Sequence, residues 1–479
     1  MSSDTSIPTL PRTMRGEIAA LLALGGPMAL TQMVQFSIYT IDTVMIGRVG
    51  TESLAAAAIG GVVYFMLWMV GAGPVFSVTP MVSQALGTTI GDTARDARTD
   101  VRRSVRMTLW LIFGLIVPML AILLATEPIL LALGQDADVA KLASEYVIVL
   151  APGLPFALGV MALRNFLAAL NKTMVPLLLA TITVGINAGL NALLIFGLFG
   201  FPELGLVGAG IASSISYIIC FFLFAAYISL DREARVFEIF RNIFGFDRER
   251  FFEVMKLSWP ISLTTIFEGA LFNAAVLIMG LIGVRETAAY NVSLNVVAMS
   301  FMLPWGFSMA GAVRIGLAEG AADKIARRQA AQATLLISIG AMGILALFVA
   351  FMPDLIARAY MDVNNPENSA TIALITLFLP LAAAFMIFDA AQVACNQLLR
   401  GLKDVTAPMV ITGISYWVIG FPLCYGLALH TPLGALGVWY GLMAGLFAAF
   451  IGLGIRLWRQ LQVPPRPPEL LDPSEPLLQ

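Results

Sequence analysis

The sequence has little histidine, cysteine and charge. Its 479 residues include one histidine and three cysteines, and the cysteines stand inside apolar runs without C-x-x-C spacing. A disulfide framework or a zinc site is therefore not expected. The chain also lacks the G-x-x-x-x-G-K-[ST] pattern of a phosphate-binding loop and shows no nucleophile or cofactor motif. The sequence therefore predicts that the chain is not an enzyme and draws no energy from a nucleotide.

Most residues of the chain are apolar. The chain is 59% hydrophobic and 12% charged, with a mean hydropathy of +0.87, which is typical of a polytopic membrane protein. Its net charge of −2 gives no reason to expect a nucleic-acid partner. At about 20 apolar residues per span, the pattern predicts an all-α membrane protein with twelve transmembrane helices. These are expected at 18–47, 53–83, 104–125, 144–169, 174–198, 206–230, 257–283, 287–315, 330–353, 370–399, 405–430 and 433–459.

The basic residues are distributed unevenly along this pattern. Of the 28 Lys and Arg residues, all but Arg48, Lys141, Arg285 and Arg358 fall in the N-terminal tail (1–16), in the connections after even-numbered helices and the helix ends beside them, or at the C-terminal end of the chain. By the positive-inside rule, both termini are expected in the cytoplasm of a multi-pass plasma-membrane protein, the inner membrane in a Gram-negative cell. The tail (460–479) is rich in Pro, Glu and Leu, which predicts disorder.

A long internal repeat organises the chain. The stretch from Gly26 to Ala56 returns as Trp259 to Ala289, at an offset of 233 in the numbering. Six predicted spans per copy is an even number, so the two halves must be parallel repeats in the membrane. We therefore expect an N-terminal lobe (17–230), a cytoplasmic linker (231–256) and a C-terminal lobe (257–459), with the substrate site between the lobes. The identical positions in the first stretch are Pro27/Pro260, Leu30/Leu263, Thr31/Thr264, Gly47/Gly280, Gly50/Gly283, Ala55/Ala288 and Ala56/Ala289.

Three acids lie inside predicted helices, Asp42 on helix 1, Glu268 on helix 7 and Asp389 on helix 10. A carboxylate in the membrane without a basic partner either takes up a proton or binds a cation, so each is a functional candidate. The alternative is that these acids hydrogen bond neighbouring helices together or lie nearer the membrane interface. The repeat does not duplicate them, because Gln35 stands at the position of Glu268 and Ala275 at the position of Asp42.

Other polar residues of the predicted helices have simpler interpretations. Asn187 and Asn191 are spaced i, i+4, so both amides lie on one face of helix 5. They either hold the Asp42 carboxyl, ligate a cation, or serve only to pack helices together. Arg164 and Arg400 lie near the cytoplasmic ends of helices 4 and 10, where we expect their side chains to extend to the membrane surface.

Several motifs resemble those of one transporter family, the NorM-type branch of the multidrug and toxic compound extrusion (MATE) family, from Arg15 to Trp458. The resemblance implies twelve helices in two lobes that export cationic or amphipathic organic compounds in exchange for Na⁺ or H⁺, without another cofactor. The motifs are Asp42-Thr43-Val44-Met45-Ile46-Gly47, Phe301-Met302-Leu303-Pro304 and Arg314-Ile315-Gly316 on helix 8, and Asp389-Ala390-Ala391-Gln392-Val393 with Leu399-Arg400-Gly401-Leu402-Lys403-Asp404.

The resemblance also implies roles for individual residues. Glu268 and Asp389 correspond to a cation site of the C-terminal lobe, and either this site or the N-terminal one could hold Na⁺. Phe385 stands one turn before Asp389, where some relatives have a tyrosine. This difference removes a candidate hydroxyl from the site and leaves the choice between Na⁺ and H⁺ as the coupling ion open. The implied proton or cation site of the N-terminal lobe comprises Asp42, Asn187, Asn191 and Ser213. Candidates for the substrate cavity are Gln35, Tyr39, Phe272, Tyr290, Asn295 and Phe385.

Two other functions are worth weighing. A lipid-linked oligosaccharide flippase of the same superfamily would need several cationic residues in its cavity, whereas the clearest charges within the helices are acids. A passive channel would need a polar pore lining rather than three isolated acids. We therefore expect a transporter of small organic compounds that acts as a monomer among membrane lipids.

Overall fold

The computed structural model describes residues 10–90, 97–362 and 365–466. Within these ranges there are only helices and their connections, and twelve helices are long and apolar enough to cross a membrane. The predicted fold class is therefore confirmed. The helices are α1 (Met14–Gly47), α2 (Thr51–Gly87), α3 (Arg98–Leu124), α4 (Ala137–Ala169), α5 (Met174–Phe196), α6 (Gly205–Leu230), α7 (Arg248–Ile282), α8 (Val284–Gly320), α9 (Lys324–Phe351), α10 (Pro366–Gly401), α11 (Thr406–His430) and α12 (Ala435–Gln462).

Most helices continue beyond the apolar runs from which they were predicted. Helix α7 begins at Arg248 instead of residue 257, and α3 begins at Arg98 instead of residue 104. The added turns are rich in Arg and Glu, which are good helix formers but carry no hydropathy signal. Two short helices, Thr126–Ala132 and Pro353–Tyr360, follow α3 and α9 and were not predicted.

Two helices are locally irregular. A 3₁₀ turn at Ala151–Gly153 interrupts α4 just before Pro155. In α11, Ser415–Gly420 form a π-helical segment. Such segments often mark functional sites in helical proteins, because the widened turn displaces a side chain from its regular position.

The described residues divide into two compact units. Unit 1 comprises Thr31–Ser262, and unit 2 comprises Leu10–Leu30 with Leu263–Arg466. These units differ from the predicted lobes 17–230 and 257–459 at the first helix of each repeat. The beginning of α1 packs with the second repeat, whereas the segment 231–262, including the predicted linker, packs with the first.

Small residues and ion pairs explain why the beginnings of α1 and α7 each pack with the other repeat. In unit 2, Gly306 of α8 lies against the backbone of Ala29 on α1, and in unit 1, Gly73 of α2 lies against Ser258 and Ser262 of α7. Gly73/Gly306 and Ala29/Ser262 both keep the offset of 233, so the two contacts are copies of each other. Helices approach this closely only where side chains are small.

Charged residues then hold the helix beginnings. In unit 2 the Arg314 guanidinium donates to both Glu17 oxygens at 2.8 and 2.6 Å, and both side chains are buried. In unit 1 Arg250 donates to Asp100.

At the C-terminal end of the described chain, α12 runs to Gln462, into the beginning of the predicted tail. The rest of the disorder prediction, for 467–479, lies outside the described residues.

Candidate functional site

The four polar residues predicted for the N-terminal site meet in one hydrogen-bond network in unit 1. Asn191 Nδ2 donates to Asp42 Oδ1 at 2.5 Å, and Ser213 Oγ donates to Asp42 Oδ2 at 3.0 Å. Asn187 Nδ2 donates to Ser213 Oγ, and Asn191 Nδ2 also approaches Asn187 Oδ1, both at 3.2 Å. The geometry thus joins α1, α5 and α6 through one carboxylate. We call these residues the Asp42 cluster.

Local sequence explains how the cluster forms. The i, i+4 spacing stacks the two amides of α5, and Gly208 allows α6 to approach the α5 backbone at Leu194. Asn187, Asn191 and Ser213 are buried, whereas Asp42 is partly exposed. The Asp42 carboxylate is therefore partly exposed, while the amides and the hydroxyl around it are buried.

The chemistry available to the Asp42 cluster is that of oxygen ligands. Among the described residues, Asp42 hydrogen bonds only to neutral groups and forms no ion pair with Lys or Arg. Asn191 Oδ1 is buried and accepts no hydrogen bond within the same part of the chain. A carboxylate and a spare amide oxygen can bind a proton or a hard cation such as Na⁺.

The two acids predicted for the C-terminal site also lie in one unit, unit 2. Gln392 Nε2 on α10 donates to Glu268 Oε1 on α7 at 3.1 Å, and Asp389 stands one turn before Gln392. Asp389 is 3% exposed and close enough to Glu268 for the two carboxyls to repel each other. The pair therefore cannot carry two uncompensated charges.

Two residues that the sequence did not mark as functional complete this second cluster. Arg400 is 4% exposed and close enough to Glu268 to attract it, so the expected extension of Arg400 to the membrane surface is wrong. The reason is packing: α10 ends at Gly401 against Ile315 and Ala312 of α8, which encloses the helix end. Tyr416, at the π-helical segment of α11, is buried near both acids. It supplies from α11 the kind of hydroxyl that is absent at Phe385.

Arg164 is likewise buried in unit 1, and its predicted extension to the membrane surface is also wrong. The side chain is 5% exposed, and Nη1 donates to Gln32 Oε1 at 2.8 Å and to Gln35 Oε1 at 2.5 Å. Two polar residues on one face of α1, three apart, were the available sequence signal. They indicate a polar partner facing that side of the helix.

The remaining cavity candidates lie in different surroundings. Tyr39 is 66% exposed on α1, and Asn295 Oδ1 accepts a hydrogen bond from Tyr360 at 2.8 Å. Phe272 and Phe385 form an edge-on pair with ring centres 5.9 Å apart, and Tyr290 packs against Trp439 at 5.2 Å. Tyr290 and Phe385 have no exposed surface in this structure, because both belong to the aromatic core around Trp439.

Comparison with known proteins identifies the family. The family profile described as MatE matches residues 27–193 and again 260–426, two segments with the same offset as the internal repeat. The chain is 36% identical over 452 residues to a "Probable multidrug resistance protein NorM" of Mesorhizobium japonicum, covering 94% of this chain and 96% of the relative. It is 37% identical over 460 residues to the protein of the same name from Rhizobium meliloti, covering 96% of each chain.

A solved structure agrees in fold. The crystal structure described as MATE in complex with MaL6 superposes with a TM-score of 0.85 at 18% identity, covering 96% of this chain and 99% of that one. The profile matched over most of the chain, and the NorM relatives matched over nearly its whole length, agree with the motifs of α1, α8 and α10. The chain belongs to the MatE family, as a NorM-type MATE transporter with a multi-pass membrane fold.

Proposed function

We propose that this protein is a secondary active multidrug efflux transporter of the plasma membrane. It exports cationic or amphipathic organic compounds by alternating access, in exchange for Na⁺ or H⁺, with both termini in the cytoplasm. The names of the NorM relatives support the substrate class. The single observation that carries the coupling is the Asp42 cluster, a membrane-embedded carboxylate held only by neutral donors among the described residues.

The coupling step would take place at Asp42. When Asp42 binds a proton or Na⁺, its oxygens accept the hydrogen bonds of Asn191 and Ser213 differently. This change shifts α1 towards a second position. By linkage, ion and substrate then lower each other's affinity by the same factor. The driving force is sufficient, since one charge moved across 100 mV is worth about 2.3 kcal/mol.

Glu268 and Asp389 form the second candidate ion site. Gln392, Arg400 and Tyr416 surround these acids, so a cation bound there would share the carboxylates with a resident guanidinium. This difference favours the Asp42 cluster as the main coupling site.

The test is substrate uptake into proteoliposomes with one imposed gradient at a time. Export driven by a proton gradient alone identifies H⁺ as the coupling ion, and export driven only by a sodium gradient identifies Na⁺. Substrate flux that follows neither gradient and never exceeds equilibration would contradict an antiporter.

The first prediction concerns Asp42 itself. Asp42→Asn should abolish uphill export while the purified protein keeps its elution profile and melting temperature, because asparagine preserves the shape but cannot be charged. Ser213→Ala is the matched control, since it removes one donor to the carboxylate and leaves the charge. If Asp42→Asn still concentrates substrate, Asp42 is structural and the coupling belongs to the acids of unit 2.

A further inference from the structure

The guanidinium of Arg164 lies in unit 1 without an acidic partner. Among the described residues, no carboxylate hydrogen bonds to it or forms an ion pair with it, although the side chain is 5% exposed. Its Nη2 atom is buried and donates to no group in this part of the chain. A buried charge that is solvated only by neutral amides is costly, so the site favours an anion.

The partners of Arg164 are neutral amides, which accept its hydrogen bonds and supply no negative charge. A guanidinium has no acceptor, so the amide oxygens of Gln32 and Gln35 must face it, which leaves both Nε2 groups pointing away. Neither amide nitrogen hydrogen bonds elsewhere in the described ranges. Both glutamines are partly exposed on α1, whereas Arg164 is buried behind them. The site therefore holds one buried positive charge, with one N–H group of Arg164 that donates to no described residue, beside two amides whose nitrogens are unused among the described residues.

In the second repeat, a buried arginine at a similar place is neutralised by a carboxylate. Position 35 corresponds to Glu268 at the offset of 233, and Glu268 attracts the buried Arg400. Helices α4 and α10 end in equivalent turns, with positive φ at Asn171 and Lys403, which have an offset of 232. Arg400 stands three residues before Lys403, whereas Arg164 stands seven residues before Asn171. Arg400 therefore lies one helical turn nearer the end of its helix than Arg164 does, on the same helix face. Unit 2 supplies a carboxylate to its arginine, whereas unit 1 supplies two amides.

We propose that Arg164, Gln32 and Gln35 form an anion subsite that binds the carboxylate of zwitterionic amphipathic substrates, while Asp42 receives their cationic part. Gln35 and Asp42 are seven residues apart on α1 and so lie on nearly the same face, about 10 Å apart along the axis. The inference rests on the proposed function, because it names a substrate class for the same transporter.

The probes are rhodamine B, a zwitterion with a free carboxylate at neutral pH, and its ethyl ester, a cation of nearly the same shape. Their binding to the purified full-length protein is measured by fluorescence anisotropy. Arg164→Gln should weaken rhodamine B by about tenfold or more relative to the ester, since a charge-assisted hydrogen bond is lost. Gln35→Glu should cause the same selective loss with Arg164 still present, because it installs the acid found at position 268.

The outcomes separate the two proposals. Equal weakening of both dyes, or of neither, in Gln35→Glu and Arg164→Gln overturns the anion subsite. Gln35→Glu keeps the test decisive if Arg164→Gln does not fold. Gradient-driven export of the ester depends only on the proposed function, whereas the ratio between the dyes depends on Arg164. A wild-type protein that binds the ester as tightly as rhodamine B also overturns the anion subsite, and it leaves the proposed function untouched.

Discussion

At the scale of single residues, the acids on the membrane-spanning helices include two chemically different groups. Glu17 and Arg314 satisfy each other with two short hydrogen bonds in unit 2, so their charges cancel. Asp42 and Asp389 are bonded to no basic side chain within the described ranges, so each can exchange a proton or a cation. We assign the first group to stability and the second to transport, and each assignment has its own test.

For the stabilising pair, Glu17→Gln should lower the apparent melting temperature in detergent substantially. It leaves the Arg314 charge buried without its carboxylate, and breaking such a pair costs roughly 3–5 kcal/mol. Glu238→Gln is the matched control, since Glu238 pairs with Arg241 and Arg102 on the surface, where solvent screens the charges. Equal melting temperatures for the two variants would show that the buried pair contributes no stability.

For the exchanging acids of unit 2, the effects of Glu268→Gln and Asp389→Asn on export should be non-additive. Both carboxyls lie near each other in one cluster, so removing either should already disrupt the proposed ion site. The measurement is initial export rate in proteoliposomes for both single variants and the double variant. A double variant that exports at the wild-type rate would exclude this cluster from the transport mechanism.

At the scale of elements, α1 and α7 are the helices that belong to both units. Residues before Thr31 on α1 pack in unit 2, and residues up to Ser262 on α7 pack in unit 1. The contacts that permit this are glycines, Gly306 facing Ala29 and Gly73 facing Ser258. Helix α1 carries Asp42 in unit 1 and begins in unit 2, and α7 carries Glu268 in unit 2 and begins in unit 1.

Gly73→Ala and Gly306→Ala should each destabilise the protein by about 1–3 kcal/mol, because a Cβ at either position collides with the backbone of the facing helix. Gly61→Ala on α2 is the matched control, since a Cβ there meets no atom within 4 Å among the described residues. Alanine is the better helix former, so Gly61→Ala should keep or slightly raise the melting temperature. Melting curves in detergent that order the three variants otherwise would contradict the close contacts.

At the scale of the whole molecule, the charge asymmetry predicts the orientation of the chain. A cysteine introduced at Arg241 should resist an impermeant maleimide added to intact cells, whereas one at Asn365 should react, because the charge asymmetry predicts that the two positions lie on opposite sides of the membrane. The native Cys220, Cys395 and Cys424 are all at most 4% exposed, so they contribute little background. Labelling at Arg241 with protection at Asn365 would reverse the proposed topology.

The sequence predicted whole features of this molecule wherever the signal was local or repeated. Twelve apolar runs, a copy at a fixed offset and acids within those runs are readable without a fold, because membrane insertion depends on the composition of each segment. The i, i+4 asparagines were readable for the same reason, since helix geometry alone places them on one face. Their contact with Asp42 was one of the alternatives that the spacing left open, and the family resemblance added Ser213 to the same site.

What the sequence by itself determined is therefore the class of the protein, the number of its spans and the three acids within its apolar runs. Only the tertiary structure decided which charges are compensated. Arg164 and Arg400 occupy similar positions near helix ends, yet one meets two amides and the other a carboxylate. Likewise, Glu17 and Tyr416 meet charged groups from distant parts of the chain. The physical reason is that hydropathy is a property of a segment, whereas compensation of a buried charge depends on which segments pack around it.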